Sequence, residues 1–331
     1  MNTHRLGQTG PQVSALGLGC MGMSDMYGPS DRAESIATLH AAIDAGMTLI
    51  DTGDFYGMGH NEMLIGEALK DGLRDKVTIS VKFGALRGPD GGWLGYDARP
   101  QAVKTALAYT LKRLNVDYID IYRPSRLDPA VPIEDTIGAI AEMVQAGYVR
   151  HIGLSEMGPD TIRRAAGVHP ISDLQIEYSL LSRGIEETIL PTCRDLGIGI
   201  TAYGVLSRGL ISGHWQKDRT TDATDFRARS PRFQEGNLEQ NLALVEALRQ
   251  IAEARQATVA QVAIAWVAAQ GKDIVPLIGA RRRDRLSESL GALDLILTAE
   301  DLAAIERVVP KGAAAGSRYA EMQMAHLDSE R

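Results

Sequence analysis

Short runs of aliphatic and β-branched residues alternate along this chain with longer stretches in which apolar positions recur every three or four residues. That alternation is the pattern of strand–helix repeats wrapped around a parallel sheet. Eight runs read as strands: 47–52 (MTLIDT), 77–83 (VTISVKF), 118–123 (YIDIYR), 149–155 (VRHIGLS), 174–178 (LQIEY), 199–203 (GITAY), 273–278 (DIVPLI) and 293–297 (LDLIL). Helical periodicity occupies 33–45, 102–114, 134–146, 185–196 and 259–269, and Thr298 with Asp301 three positions on is the cap signal of a last helix.

Eight such repeats with mostly short connections predict an α/β protein, a closed (β/α)8 TIM barrel forming a single domain over 1–331. The first 20 residues carry turn signals at Gly7, Gly10 and Pro11 without a helix partner, and read as an N-terminal β-hairpin outside the repeat. A long polar loop follows strand six: 207–240 shows little apolar periodicity and lies at the strand's C-terminal end, where barrel enzymes place their sites. It reads as a lid or as an inert surface excursion.

Composition narrows the class. The 331 residues suit a barrel of roughly 250 residues plus insertions. With 35 Lys and Arg against 42 Asp and Glu the net charge is −7, which argues against a broad nucleic-acid or anionic-membrane surface. Cys20 and Cys193 are the two cysteines, with no short Cys/His spacing for a metal site and no disulfide framework. The N-terminal segment lacks a secretory pattern and no run approaches 18 apolar residues, so a cytosolic protein is expected.

Ionisable residues inside apolar strands carry the candidate chemistry, because a charge there must be paired. Asp51 closes MTLID and Lys82 lies near the end of VTISVKF, on adjacent strands that end on one face; an ion pair is expected, either catalytic or one that only fixes register. Tyr56, in DTGDFYG, can turn back over the strand ends, where a neighbouring ammonium would lower its pKa and make a usable proton donor. As a lone aromatic it would be packing. GARRRDRLSES (279–289) follows strand seven and offers amides, a helix N-terminus, and Arg281 and Arg285 on one helical face as an anion grip, or else a solvated basic turn. Glycines 53, 57, 84, 153, 204 and 279 near strand ends permit close backbone approach or simply make turns. GLGCMG (17–22) matches a dinucleotide fingerprint, but Gly28 and Pro29 prevent the helix it needs. His151 reads as a histidine packed in or behind the core rather than a general base.

The segments LGLGCMGMSDMYG, IDTGDFYGMGHNEMLIGEAL, VKFG, YIDIYR with LDPAVPIEDTIGAI, VRHIGLSE, LQIEYS, TAYGVLSRGLISG and PLIGARRRDRL, in this order, resemble the aldo-keto reductase superfamily over nearly the whole chain. The resemblance implies a (β/α)8 barrel that uses NADPH/NADP to reduce aldehydes and ketones, or oxidise alcohols, on a small-molecule substrate. It implies that Tyr56 is the proton donor, that Lys82 depresses its pKa and that Asp51 holds Lys82. Ser155 and Gln175 would hold the carboxamide and Tyr203 would stack on the nicotinamide. Gly204, Leu206, Ser207, Arg208 and Gly209 would line the pyrophosphate, with Gly22, Met23, Gly279 and Ala280 also against the cofactor. Arg281 and Arg285 would take the 2'-phosphate and Ser289 the adenine side. The chain departs from the pattern twice: Ser125 stands in the place of the family's catalytic histidine, and Glu156 replaces the asparagine beside the carboxamide. Carbonyl orientation would then fall to Ser125 through water, to Arg126 or to Arg123. The alternative reading is an NADP(H)-binding sensor with weakened catalysis. The substrate pocket is expected to involve Trp93, Leu94 and the 207–240 loop.

Overall fold

The computed structural model of the protein describes residues 1–24, 26–217 and 225–331. Strands β1 (Thr3–Arg5) and β2 (Gln12–Ser14) form an antiparallel hairpin. Gly7 at its turn has φ +58°, and a Cβ there would lie 2.5 Å from the Gly197 carbonyl oxygen, so glycine alone lets the hairpin seat this closely. Leu6 and Val13 then pack against Leu49, Ile121, Val275 and Leu277 and close the barrel at the strands' N-terminal ends. The open mouth is therefore at the other end.

β3 (Gly17–Gly19), β4 (Leu49–Gly53) and β5 (Thr78–Phe83) begin the barrel. A second hairpin, β6 (Ala85–Arg87) and β7 (Trp93–Tyr96), rises from the end of β5, and β8 (Ile119–Pro124), β9 (Val149–Ser155), β10 (Ile171–Glu177), β11 (Gly199–Tyr203) and β12 (Ile274–Gly279) complete the ring. All neighbouring barrel strands are parallel, and β12 closes onto β3 with Leu277 opposite Gly17 and Gly279 opposite Gly19. Helices follow most strands and cover the outside. Their apolar faces join the strands' outward residues in one large core, to which Leu39, Leu64, Val103, Ile140, Ile162 and Val262 contribute. Thr298 and Asp301 cap each other's backbone at the start of the helix Ala299–Val308, as expected.

The barrel closes differently from the expectation. The first barrel strand is Gly17–Gly19, which the sequence reading placed in the outer hairpin, and 293–297 is not a strand but the end of a turn (Gly291–Asp294) followed by irregular chain. The glycine signal misled because Gly17 is required by crowding rather than by a turn: a Cβ there would sit 2.8 Å from Leu49 and 2.9 Å from Leu277. In LDLIL, Leu295 and Leu297 lean on the core while Ile296 is 80% exposed, an alternation made by one-sided packing without a partner strand. Asp51 thus lies on the second barrel strand, and Tyr203 on the seventh.

Candidate active site

Parallel pairing of β4 with β5 sets Gly53 opposite Lys82, which brings Asp51 and Lys82 to the same end of the barrel. The Lys82 ammonium donates to Asp51 Oδ1, with both residues almost fully buried. Asp51 Oδ2 accepts from Ser80 Oγ at 2.9 Å and from Gln175 Nε2 at 2.6 Å. After β4 the chain turns through Tyr56–Gly59, where Gly57 (φ +55°) provides the left-handed step. Tyr56 is folded back over the strand end: a Cβ on Gly53 would come within 3.4 Å of its ring, and Lys82 Nζ lies 5.1 Å from the ring centroid.

The electrostatics differ from the expectation for Tyr56. Burial pushes its phenol well above the ordinary value, the Asp51 carboxylate adds to that, and the Arg126 guanidinium opposes it. Desolvation of a buried phenolate outweighs the attraction of nearby cations here, so the hydroxyl stays protonated near neutrality. Burial also pulls the Lys82 ammonium below its ordinary value, against the pull of Asp51.

The three alternatives for orienting a carbonyl separate clearly. Ser125 is 2% exposed, its N–H donates to the Phe83 carbonyl at 2.8 Å, and its hydroxyl is sealed without a partner. Arg123 is wholly buried and committed: its two Nη atoms donate to Asp173 at 2.9 and 3.2 Å, and Nη2 also donates to Ser80 at 3.0 Å. Arg126 is half-buried and donates to the Ser125 carbonyl at 2.5 Å. His151, near the start of β9, stands at the end of the barrel away from the mouth.

Further round the mouth, Ser155 and Gln175 are register partners on β9 and β10. The Ser155 hydroxyl is buried without a partner, whereas the Gln175 amide is engaged by Asp51. Beyond Tyr203 the backbone takes positive φ at Gly204 (+66°), Ser207 (+47°), Arg208 (+60°) and Gly209 (+91°), a run of peptide groups turned unusually at the strand end. Ser207 Oγ shares a 3.0 Å bond with Ser179 Oγ, and Leu206 is partly buried. Arg208 pairs with Glu177 at 3.1 Å and keeps Nη1 buried and unpartnered. Gly22 and Met23 lie in the turn Met21–Met23 after β3.

At the end of β12, Gly279 is exposed and Ala280 buried. The helix begins at Arg283, after an extended Arg282, so Arg281 and Arg285 do not share a helical face as expected. Arg281 Nη1 instead donates to the carbonyls of Tyr27 and Gly28, each at 3.1 Å, while Arg285 pairs with Glu288 at 3.0 Å. Ser289 is buried on the same helix. The segment expected to be a lid partly bridges this region: Phe226 N–H donates to the Met26 carbonyl at 2.8 Å and Arg227 stacks 5.1 Å over Tyr27. Its residues 218–224 lie outside the described residues, and 237–240 belong to the helix Asn237–Ala254.

The aldo/keto reductase family model matches residues 15–310, and a probable aldo-keto reductase of Glycine max is 44% identical over 318 residues, covering 95% of this chain and 91% of the relative. The chain belongs to the aldo/keto reductase family. The glycerol dehydrogenase of Gluconobacter oxydans superposes with a TM-score of 0.85 at 29% identity, over 98% of this chain and 96% of that one. A thermostable aldo-keto reductase solved with the inhibitor epalrestat has a TM-score of 0.74 at 29% identity, over 93% of this chain and all of the other.

In this aldo/keto reductase the sequence reading missed one whole side of the site, supplied by the tail after residue 310. Glu156, in a left-handed backbone position (φ +53°) just past β9, is fully buried. Its carboxylate accepts from Arg318 at 2.6 and 2.9 Å, from Tyr203 Oη at 2.6 Å, from Ser329 at 2.6 Å and from the Glu177 N–H at 3.0 Å. Burial alone would raise its pKa, but the Arg318 guanidinium holds it far below the usual carboxylate range. Tyr319 joins the cluster, its hydroxyl 2.8 Å from that of Tyr203 and its ring 4.5 Å beneath Arg208. The one sequence signal was Glu156 itself, an acid ending an apolar strand and needing a cation that no strand provided.

Proposed function

We propose that this aldo/keto reductase interconverts a carbonyl and an alcohol with NADP(H), with Tyr56 as the group that gives or takes the proton. The observation that carries this reading is a buried Tyr56 folded over the Asp51–Lys82 pair, with the ammonium 5.1 Å from its ring. A dinucleotide fits the residues beside it: Ser155 Oγ and Arg208 Nη1 are polar groups short of a partner, and the turned backbone of Gly204 to Gly209 can meet a pyrophosphate closely. Ser155 and Gln175 would hold the carboxamide and Tyr203 would back the nicotinamide. Gly22, Met23, Leu206, Ser207, Gly279, Ala280 and Ser289 would line the rest. The cofactor, when bound, supplies or accepts the hydride.

On this reading Tyr56 donates its proton to the carbonyl oxygen during reduction, and Lys82 stabilises the phenolate left behind. Asp51, fixed by Ser80 and Gln175, holds Lys82 in place. Changing Tyr56 to Phe should lower kcat by about a hundred-fold or more with NADPH affinity nearly unchanged; wild-type turnover in that variant would refute the role. A short hydroxyl at Ser125, where the family carries its catalytic histidine, favours the second reading, a sensor that binds NADP(H) without turnover. NADPH binding with no consumption across aldehydes, ketones and quinones would select it.

Choice of NADPH over NADH rests on Arg281 and Arg285, since each charge-assisted contact to a phosphate contributes about 1.5–3 kcal/mol. Replacing both with Ala should weaken NADPH at least ten-fold more than NADH, measured by fluorescence titration. Equal losses would remove the 2'-phosphate role.

A further inference from the structure

Most cations around the mouth are paired with a carboxylate. Lys82 is taken by Asp51, Arg123 by Asp173, and Arg318 by Glu156, while Arg208 and Arg232 share Glu177. Arg126 is left over. It donates to the Ser125 backbone carbonyl, and among the described residues no Asp or Glu carboxylate lies within 4 Å of it. Glu156, the acid whose charge it feels, already has both oxygens occupied by Arg318, Tyr203, Ser329 and a backbone N–H. None of the Arg126 nitrogens is among the sealed, unpartnered atoms, so its free N–H groups open onto accessible space. That space is at the mouth, since Arg126 stands two residues past the C-terminal end of β8, whose Arg123 and Pro124 are the register partners of Lys82 and Phe83 on β5. Beside it sits the buried, unpartnered hydroxyl of Ser125.

A half-buried guanidinium without a counter-charge calls for an anion. One cation with a planar fork matches a carboxylate in both charge and shape. Tyr56 is also flanked by an aromatic cluster, with the Arg87 guanidinium 4.8 Å over the ring of Trp93. Phe55 lies 4.8 Å from the Tyr56 ring and 5.7 Å from Trp93, which is 46% exposed on the β6–β7 hairpin next to Leu94, 68% exposed. We infer that the substrate is a carbonyl compound bearing a carboxylate, with the carboxylate on Arg126, the carbonyl at Tyr56 and an apolar or aromatic body against Trp93.

This inference rests on the proposed oxidoreductase reading, and the test separates the two. NADPH consumption is followed with phenylglyoxylate, 4-carboxybenzaldehyde and, as the neutral reference, benzaldehyde. At least one carboxylated compound should show kcat/KM ten-fold or more above benzaldehyde, and Arg126→Met should bring that ratio close to one while Arg126→Lys retains part of it. In parallel, the NADPH-loaded wild-type protein is titrated with benzoate and with benzamide by nucleotide fluorescence; benzoate should bind at least ten-fold tighter, which needs no variant. Equal kcat/KM for charged and neutral compounds, together with equal binding of benzoate and benzamide, overturns the inference and leaves the oxidoreductase reading intact. Benzoate binding that depends on Arg126, without consumption of any carbonyl compound, overturns the oxidoreductase reading and leaves the anion site standing.

Discussion

Two aspartates three positions apart show how burial without compensation differs from burial with it. Asp51 is met by an ammonium, a hydroxyl and an amide, whereas Asp54 has one oxygen sealed without a partner and the other 3.4 Å from the Gly84 N–H. Burial, with the Glu62 charge adding, pushes Asp54 up from 3.8 to about 7. A carboxyl whose pKa is raised on folding favours the protonated fold, so its contribution is fully present below pH ~4 and is lost as pH rises through about 7. The loss has a limiting slope of about 1.4 kcal/mol per pH unit. Asp54→Asn removes that titration. Relative to the variant, wild type should lose a few kcal/mol between pH 4 and 7 and no more above it, as read from denaturant midpoints. Parallel pH profiles for the two proteins would show that Asp54 ionises freely in the fold.

Among the elements, the tail after residue 310 is tied to the mouth chiefly through the Arg318–Glu156 ion pair, and its stability can be tested there. Arg318→Ala leaves Glu156 buried with its principal cation gone, which costs on the order of 3–5 kcal/mol. Because Glu156 is held below its ordinary pKa, the pair's stabilisation is present above the unfolded value of 4.5 and fades as pH falls. The variant should therefore be most compromised near pH 8 and approach wild type in acid; a pH-independent loss would point to packing instead. This tail also marks where the sequence stopped being informative. Strands such as TISVKF were legible because a short β-branched run with apolar residues at every second position fits a barrel strand. The capping of Thr298 by Asp301 was legible because both partners lie within one turn. Gly17–Gly19 was not, since glycine demanded by crowding looks like glycine demanded by a turn. The Arg318–Glu156 pair was not either, because its members are 162 positions apart in a segment without periodicity. Asp51, Tyr56 and Lys82 could be nominated because strand order puts them on neighbouring strands, but the pKa direction of Tyr56 depends on burial, which no local pattern reveals.

At the scale of the molecule, the closed ring leaves no edge from which to unravel, and the two free thiols report on that. Cys20 follows β3 in the barrel wall, while Cys193 lies on the helix Ile189–Asp195 in the outer layer; both are 0% exposed. Burial pushes the Cys193 thiol up to about 12 and raises that of Cys20 as well, so neither presents a thiolate near neutrality. Under native conditions both should resist an aromatic disulfide reagent for hours. β3 is hydrogen-bonded on both sides, to β12 and β4, and Cys193 is buried in the same continuous core as Cys20. Opening the wall and lifting the helix should therefore be one event. In rising urea, peptide mapping by mass spectrometry should find both cysteines labelled along the same midpoint, coincident with loss of secondary structure. Labelling of Cys193 at clearly lower urea would show that the helical layer leaves a still-closed barrel, and that the stability of the mouth is separable from that of its outer coat.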